Sequence, residues 1–296
     1  MRIAVTGRNG QLATALAERA AGYPGIDIVL QGRPGLDLEQ PQTIAPALTA
    51  ARPDLVVNAA AYTAVDKAES EEARATTVNG AGAGAAAAAA WRCGVPFIQI
   101  STDYVYPGDK PSPYVETDSV GPLGAYGRSK LAGERAVAAA HPHALIFRTA
   151  WVYSPFGANF VRTMLRVGRE RPVLSVVADQ FGNPTSALDI ADAILRIAPE
   201  LTPQTPGGIY HLAGEGYVSW HGFAGEIFRL AAALGGPAPE VRKITTAEYP
   251  TPARRPANSR LDTAAFRSRF GFGLRAWPEA LAETVNRLLA PPPERS

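Results

Sequence analysis

Six short apolar runs recur along the chain at helix-length intervals: "RIAVTG" (2–7), "IDIVLQG" (26–32), "PDLVVNAAA" (53–61), "VPFIQIST" (95–102), "HALIFRTAW" (143–151) and "GGIYHLAG" (207–214). Each is continuously apolar rather than alternating, so each reads as a strand covered on both faces. Strands of that kind separated by helices specify a parallel sheet with helices on both sides, an α/β chain of the doubly wound, Rossmann type. Helices are expected near 11–21, 40–51, 67–92, 124–140, 157–170, 186–198 and 219–234, from periodicity and from Pro and Gly at their borders. The run "AGAGAAAAAAW" (81–91) is weakly hydrophobic and preceded by polar residues. It therefore reads as a helix lying close against the sheet, not as a membrane span.

Beyond residue 150 the texture changes. Clusters such as "TPQTPGG", "GGPAPE" and "YPTPARRPANS" interrupt the pattern, which points to a smaller, loop-rich α/β substrate-binding domain. The expected division is 1–150 and 151–296, with segment 186–214 packing back on the sheet. With 46% hydrophobic and 19% charged residues over 296 positions, the chain can build a sizeable core and reads as a soluble folded protein. Its formal charge of +2 gives no reason to expect nucleic acid as a partner. Cys93 is the only cysteine, so there can be no internal disulfide and no multi-cysteine metal site, in keeping with a reducing cytoplasm. No metal site is expected.

Three stretches carry chemistry. "TGRNGQLA" puts Gly7 and Gly10 between the first strand and a helix start, where backbone amides and the helix dipole receive a pyrophosphate. Ala13 stands where many such loops have a third glycine. After the second strand the chain reads "IVLQGRPG", with Arg33 in place of the acidic residue that would bind the ribose hydroxyls of NAD; this favours NADPH, with NADH still possible. Asp37 and Leu38 follow as candidates for bordering the adenine, a helix cap being the other reading of Asp37. The fourth strand ends in Ser101, Thr102 and Asp103, at the carboxyl edge where ligands of such sheets collect. Tyr126 and Lys130 lie four apart in "AYGRSKLAGERAVAAA", on one face of a strongly helical segment. A neighbouring ammonium lowers a phenol's pKa, which makes the pair a usable acid.

"GRNGQLA", "STDYVYPG" and "YGRSK" resemble the extended short-chain dehydrogenase/reductase family. "VVNAAAYTAVDKAES", "IFRTAWVYSPFGANFVRTMLR", "LSVVADQFGNPTSALDIAD" and "YPTPARRPANSRLDT" are similar to its dTDP-4-dehydrorhamnose reductase group, from residue 3 to about 263. The resemblance implies that Tyr126 protonates a C4 oxygen, that Lys130 tunes it and holds the nicotinamide ribose, and that Thr102 hydrogen-bonds the substrate. It implies a cofactor site at Gly10, Gln11, Leu12, Asp37, Leu38, Ala61, Tyr62 and Thr63, beside Gly7, Arg33 and Ser101. Val65, Asp103, Trp151 and Arg255 would face a dTDP-linked 4-keto-6-deoxy sugar.

The segment 241–275 carries Arg242, Lys243, Arg254, Arg255, Arg260, Arg267, Arg269 and Arg275 against Glu248 and Asp262 alone, a balance that suits a diphosphate. Asp103 is followed by Tyr104, whereas dehydratases of the family place an Asp-Glu pair there. Another nucleotide-sugar 4-ketoreductase, an epimerase and a non-catalytic NADP-binding regulatory subunit stay open as alternatives, as does monomer against homodimer. The first helix has Glu18 as its only acid, so the glutamate-held magnesium through which some relatives dimerise has no evident ligands there.

Overall fold

The computed structural model describes residues 1–290. The six apolar runs form one sheet of β1 (Arg2–Thr6), β2 (Asp27–Gln31), β3 (Leu55–Asn58), β4 (Phe97–Thr102), β5 (Leu145–Thr149) and an edge strand Gly208–His211. All pairings are parallel, in the order β2-β1-β3-β4-β5 followed by the edge strand. The chain winds one way from β1 to β2 and the other way from β3 onward. The strand order therefore reverses beside β1, and the carboxyl ends of β1 and β3 open a crevice there.

One face is filled by Ile3, Val5, Val57, Ile98 and Phe147 packed against Leu12, Leu16 and the helix Ala187–Ile197. That helix lies beside the first helix, Gln11–Arg19. The other face carries Ala4, Val56, Phe97 and Ile146 under the helices Pro41–Ala51, Ala83–Arg92 and Ala125–Ala140. Each Leu, Ile or Phe enclosed this way contributes about 1.5–3 kcal/mol of transfer free energy.

The alanine-rich run is the inner helix that was expected, buried through Ala83, Ala86, Ala87, Ala89 and Ala90. Its small side chains let it run close to the helix Ala125–Ala140. A Cβ on Gly133 would stand 2.0 Å from the Asn79 carbonyl oxygen, and one on Gly84 would stand 2.9 Å from the Ala136 Cβ. Instead of one helix over 67–92, the chain forms Val65–Ala68, a turn, Glu72–Thr76, a π-helical turn Thr77–Gly82 and Ala83–Arg92. The wide turn places Asn79 inward, a placement that periodicity does not reveal.

The later part of the chain is more regular than its Pro and Gly clusters suggest. Val173–Val177 pairs with Glu240–Ile244, and two unanticipated helices follow at Ala264–Phe270 and Trp277–Leu289. The latter packs Leu281 and Val285 against Phe223, Ile227 and Ala231 of the helix Trp220–Ala233. Pro278 sits in its first turn, where a proline leaves no needed hydrogen bond unmade. Among the described residues no helix is long and apolar enough to cross a membrane.

Gly133→Ala tests the close helix contact. It is expected to lower unfolding free energy by about 1–3 kcal/mol in a denaturant titration, because a backbone oxygen occupies the new methyl's place.

Candidate active site

A cleft of about 880 Å³ opens over the carboxyl ends of β1, β3 and β4. Its floor begins at the turn after β1. Gly7 has φ +96°, a conformation that costs an L side chain but not glycine, and its N–H donates to the Gln31 carbonyl at 2.7 Å. Gly10 then opens the first helix with no side-chain cap and no acidic residue in the first turn. A Cβ on Gly10 would meet nothing within 4 Å. The first amides of that helix are thus unmatched by protein and face open space, the arrangement an anion needs.

The cleft wall continues through Gln11, Leu12, Arg33, Asp37, Leu38 and the loop Ala61, Tyr62, Thr63. Asp37 does not cap a helix: its Oδ1 accepts the Glu39 N–H at 3.0 Å, and the helix Pro41–Ala51 starts at Gln40 without a side-chain cap. Arg8, between the two glycines, stands on the same wall as Arg33. Neither arginine has an ion-pair partner among the described residues, which leaves two positive groups at the β1–β2 end of the cleft. Arg8 went unremarked in the sequence because its neighbours, not its type, carry the motif.

The Ala61–Thr63 loop is held by Asn79. Its Oδ1 accepts the Tyr62 N–H at 2.8 Å, and its Nδ2 donates to the Tyr62 carbonyl at 3.0 Å and to Ser129 Oγ at 2.9 Å. Through Ser129 this amide joins the loop to the helix Ala125–Ala140. The Tyr62 hydroxyl donates to Glu71 at 2.9 Å, which steadies the same loop from outside.

At the end of β4, Ser101, Thr102 and Asp103 are all nearly fully buried. Ser101 lines the cleft, but its hydroxyl donates inward to Glu134 at 2.5 Å, so only its backbone is available to a ligand. Thr102 Oγ1 donates to Asp103 Oδ1 at 2.9 Å and accepts the Tyr104 N–H at 3.2 Å. Asp103 is 3% exposed, and its other carboxylate oxygen has no hydrogen-bond partner among the described residues. Burial drives its pKa up to about 6, against the opposing pull of the Thr102 hydroxyl.

Tyr126 and Lys130 project from consecutive turns of the helix Ala125–Ala140 into this space. Burial raises the Tyr126 pKa well above that of a free phenol; the Thr102 hydroxyl opposes the shift, while Asp103 and Tyr104 reinforce it. Lys130 is 4% exposed, and burial pulls its pKa down to about 8, with Glu134 acting against the shift. The Lys130 ammonium donates to the Ile100 carbonyl at 2.6 Å. Desolvation is the leading influence on Tyr126, and the Lys130 ammonium is turned to the strand. Tyr126 is a fully protonated phenol at neutral pH.

Trp151 forms the opposite wall at φ +48°, a strained conformation for a bulky residue. It is held by face-to-face stacking on Trp220, with centroids 3.5 Å apart, and by its Nε1–H donating to Ser259 Oγ at 3.1 Å. Trp220 lines that side, and Val65 also lines the cleft. Arg255 stands apart: it is not a lining residue, and its guanidinium is engaged by Asp66 at 2.8 Å and by the Tyr104 hydroxyl at 3.4 Å. Tyr104, edge-on to Tyr126 with centroids 5.6 Å apart, links Arg255 to the cleft. Tyr104 and Trp220 were not foreseen, because aromatic residues at such spacings usually serve the core. Of the basic segment, Arg275 is paired with Asp189 and Glu283, and Arg242 with Glu240.

The buried Asp103 carries a pH signature. Its proton is bound more tightly in the folded chain, so the stability it contributes is complete below the unfolded pKa of 3.8 and is lost as pH rises through about 6. Asp103→Asn should therefore be more stable than the parent at pH 8, by up to about 3 kcal/mol, with the advantage gone at pH 4. A difference that does not vary between these pH values in denaturant melts would contradict the assignment.

The family described as RmlD substrate binding domain matches residues 1–290. The chain is 49% identical to a dTDP-4-dehydrorhamnose reductase of Sinorhizobium fredii over 98% of both chains. Two solved structures superpose with TM-score 0.90: a dTDP-4-dehydrorhamnose reductase of Clostridium acetobutylicum at 38% identity and one of Bacillus anthracis in complex with NADP at 35%, each covering 97% of this chain and 99% of its own. With matches of this extent across the sheet, the cleft and the later helices alike, the chain belongs to the RmlD substrate binding domain family, among the dTDP-4-dehydrorhamnose reductases.

Proposed function

We propose that this protein reduces the C4 ketone of dTDP-4-dehydro-L-rhamnose to dTDP-L-rhamnose at the expense of NADPH, in the cytoplasm. The observation that carries the reading is the convergence of Thr102, Tyr126 and Lys130 on a cleft whose other end is an uncapped helix start. NADPH fits this cleft, and when bound it supplies the hydride. Gly7, Gly10, Gln11 and Leu12 would receive its pyrophosphate, Ala61, Tyr62 and Thr63 would line its middle, and Asp37 with Leu38 would border its adenine. Arg8 and Arg33 supply the positive charge that a 2′-phosphate needs. On this reading residues 1–150 hold the cofactor, and 151–296 furnish most of the sugar-nucleotide side.

The protein's own part is to place the ketone and supply a proton. The Thr102 hydroxyl, turned from Asp103 to the substrate, and the Tyr126 hydroxyl both donate to the C4 oxygen. As C4 is reduced and that oxygen gains negative charge, the Tyr126 O–H bond breaks and its proton passes to the oxygen, giving the alcohol. The tyrosinate left behind is stabilised by the Lys130 ammonium one turn away and is later reprotonated from solvent. Trp151, stiffened by Trp220, walls the ring. Arg255 exchanges Asp66 for the substrate's diphosphate, a better partner for a guanidinium fork.

Absorbance at 340 nm tests the reading. Purified protein should oxidise NADPH only when dTDP-4-keto-6-deoxyglucose is supplied together with a 3,5-epimerase. NADPH that binds without being consumed would leave a cofactor-binding protein without turnover.

Tyr126→Phe is expected to lower kcat by at least about 100-fold with NADPH affinity kept. Arg255→Ala should raise the substrate KM and leave NADPH affinity intact; equal loss of both would remove Arg255 from the substrate side. In the parent, kcat should fall as pH rises through about 8, where Lys130 loses its proton.

A further inference from the structure

The helix that carries Tyr126 does not cap its own start. Gly124 has the extended conformation of an N-cap, φ −126° and ψ 169°, but offers no side chain to the helix amides. The Ala125 N–H instead donates to Glu69 Oε1 at 2.8 Å, a carboxylate from the residue that ends the helix Val65–Ala68. The fit is tight: a Cβ on Gly124 would stand 2.6 Å from that same oxygen. A carboxylate at a helix start is also favoured by the helix dipole.

The segment that supplies Glu69 also forms the cleft wall facing the substrate side. Val65 lines the cleft. Asp66 accepts from Arg255 at 2.8 Å and from the Ala253 N–H at 3.2 Å. One turn after Glu69, Glu72 pairs with Arg128 of the Tyr126 helix at 2.7 and 2.8 Å, but both of those side chains are exposed, where such pairs hold little. Glu69 is itself an exposed residue, but its bond reaches the buried first amide of the helix, and Tyr126 is only the second residue of that helix.

We infer that Glu69 is a positioning residue: its carboxylate sets the start of the Tyr126 helix against the 65–69 wall and thereby sets the depth of the Tyr126 hydroxyl in the cleft. The inference rests on Tyr126 being the acid. It predicts that Glu69 acts on the chemical step without touching cofactor or sugar.

Four variants and one reference test this in the full chain. Glu69→Ala should lower kcat by about 10- to 100-fold, the usual consequence of displacing a reacting group by an ångström or less, with the NADPH Kd from fluorescence titration unchanged. Glu69→Gln, whose amide oxygen still accepts from Ala125, should recover most of the loss. Gly124→Ala suits the backbone angles and conflicts only with the carboxylate, so it should resemble Glu69→Ala. The double variant Glu69→Ala/Gly124→Ala should lose no more than either single one, because both remove one contact.

Losses that multiply in the double variant, a parallel fall in NADPH affinity, or a Glu69→Ala variant at full kcat while Tyr126→Phe is impaired would each overturn the role of Glu69. Tyr126→Phe at full turnover would instead overturn the acid itself, whatever the Glu69 variants do.

Discussion

Glu134 and Arg148 form the ion pair on which the site is hung. Both are almost fully enclosed, at 4% and 3% exposure, and the guanidinium reaches the carboxylate through two bonds of 2.9 and 2.6 Å. Ser101 adds a third bond to Glu134, and Arg148 continues to the Tyr106 hydroxyl at 2.6 Å, which meets His211 at 2.7 Å. One network thus joins the Tyr126 helix to β4, β5 and the edge strand. Leaving either charge unpaired costs about 3–5 kcal/mol, far more than an exposed pair is worth. The helix Ala125–Ala140 is only weakly amphipathic, so hydrophobicity alone does not strongly choose its inner face. Glu134 makes the choice, and Lys130 and Tyr126, one and two turns earlier, turn inward with it.

Close packing of small residues makes room for the rest. The cleft needs the helices Ala83–Arg92 and Ala125–Ala140 drawn together, and alanine and glycine at their contact permit this. The π-helical turn then directs Asn79 at both the Ala61–Thr63 loop and Ser129. Strain is confined to the far wall, where Trp151 is held at positive φ by Trp220 and Ser259. That wall is preorganised by stacking, and the proton-handling groups opposite it are preorganised by hydrogen bonds, as a reductase of this family requires.

Burial governs the electrostatics more than neighbouring charge does. Asp103, Tyr126 and Lys130 all shift toward their neutral forms, and in each case desolvation is the leading cause. A pair read along a helix as an ammonium activating a phenol is, in three dimensions, a phenol kept protonated beside a lysine committed to the Ile100 carbonyl. The spacing was legible; the balance was not, because burial depends on what the rest of the fold packs above those two turns.

The sequence by itself determined the sheet, its parallel sense and the place where a ligand would collect. Continuous apolar runs admit no other economical burial, and Gly7, Gly10, Thr102, Tyr126 and Lys130 stand at strand ends and on one helix face that local geometry dictates. The same reading missed the helices Ala264–Phe270 and Trp277–Leu289, the strand pair Val173–Val177 with Glu240–Ile244, and the roles of Arg8, Tyr104, Trp220 and Glu69. Only the tertiary structure decided these, since each depends on a partner distant along the chain: Arg255 on Asp66, Trp151 on Trp220, and the first amide of the Tyr126 helix on a carboxylate 56 residues before it. Periodicity and propensity act over a few residues, whereas the orientation of a charged or aromatic side chain is settled by whatever the completed fold brings within hydrogen-bonding or stacking distance.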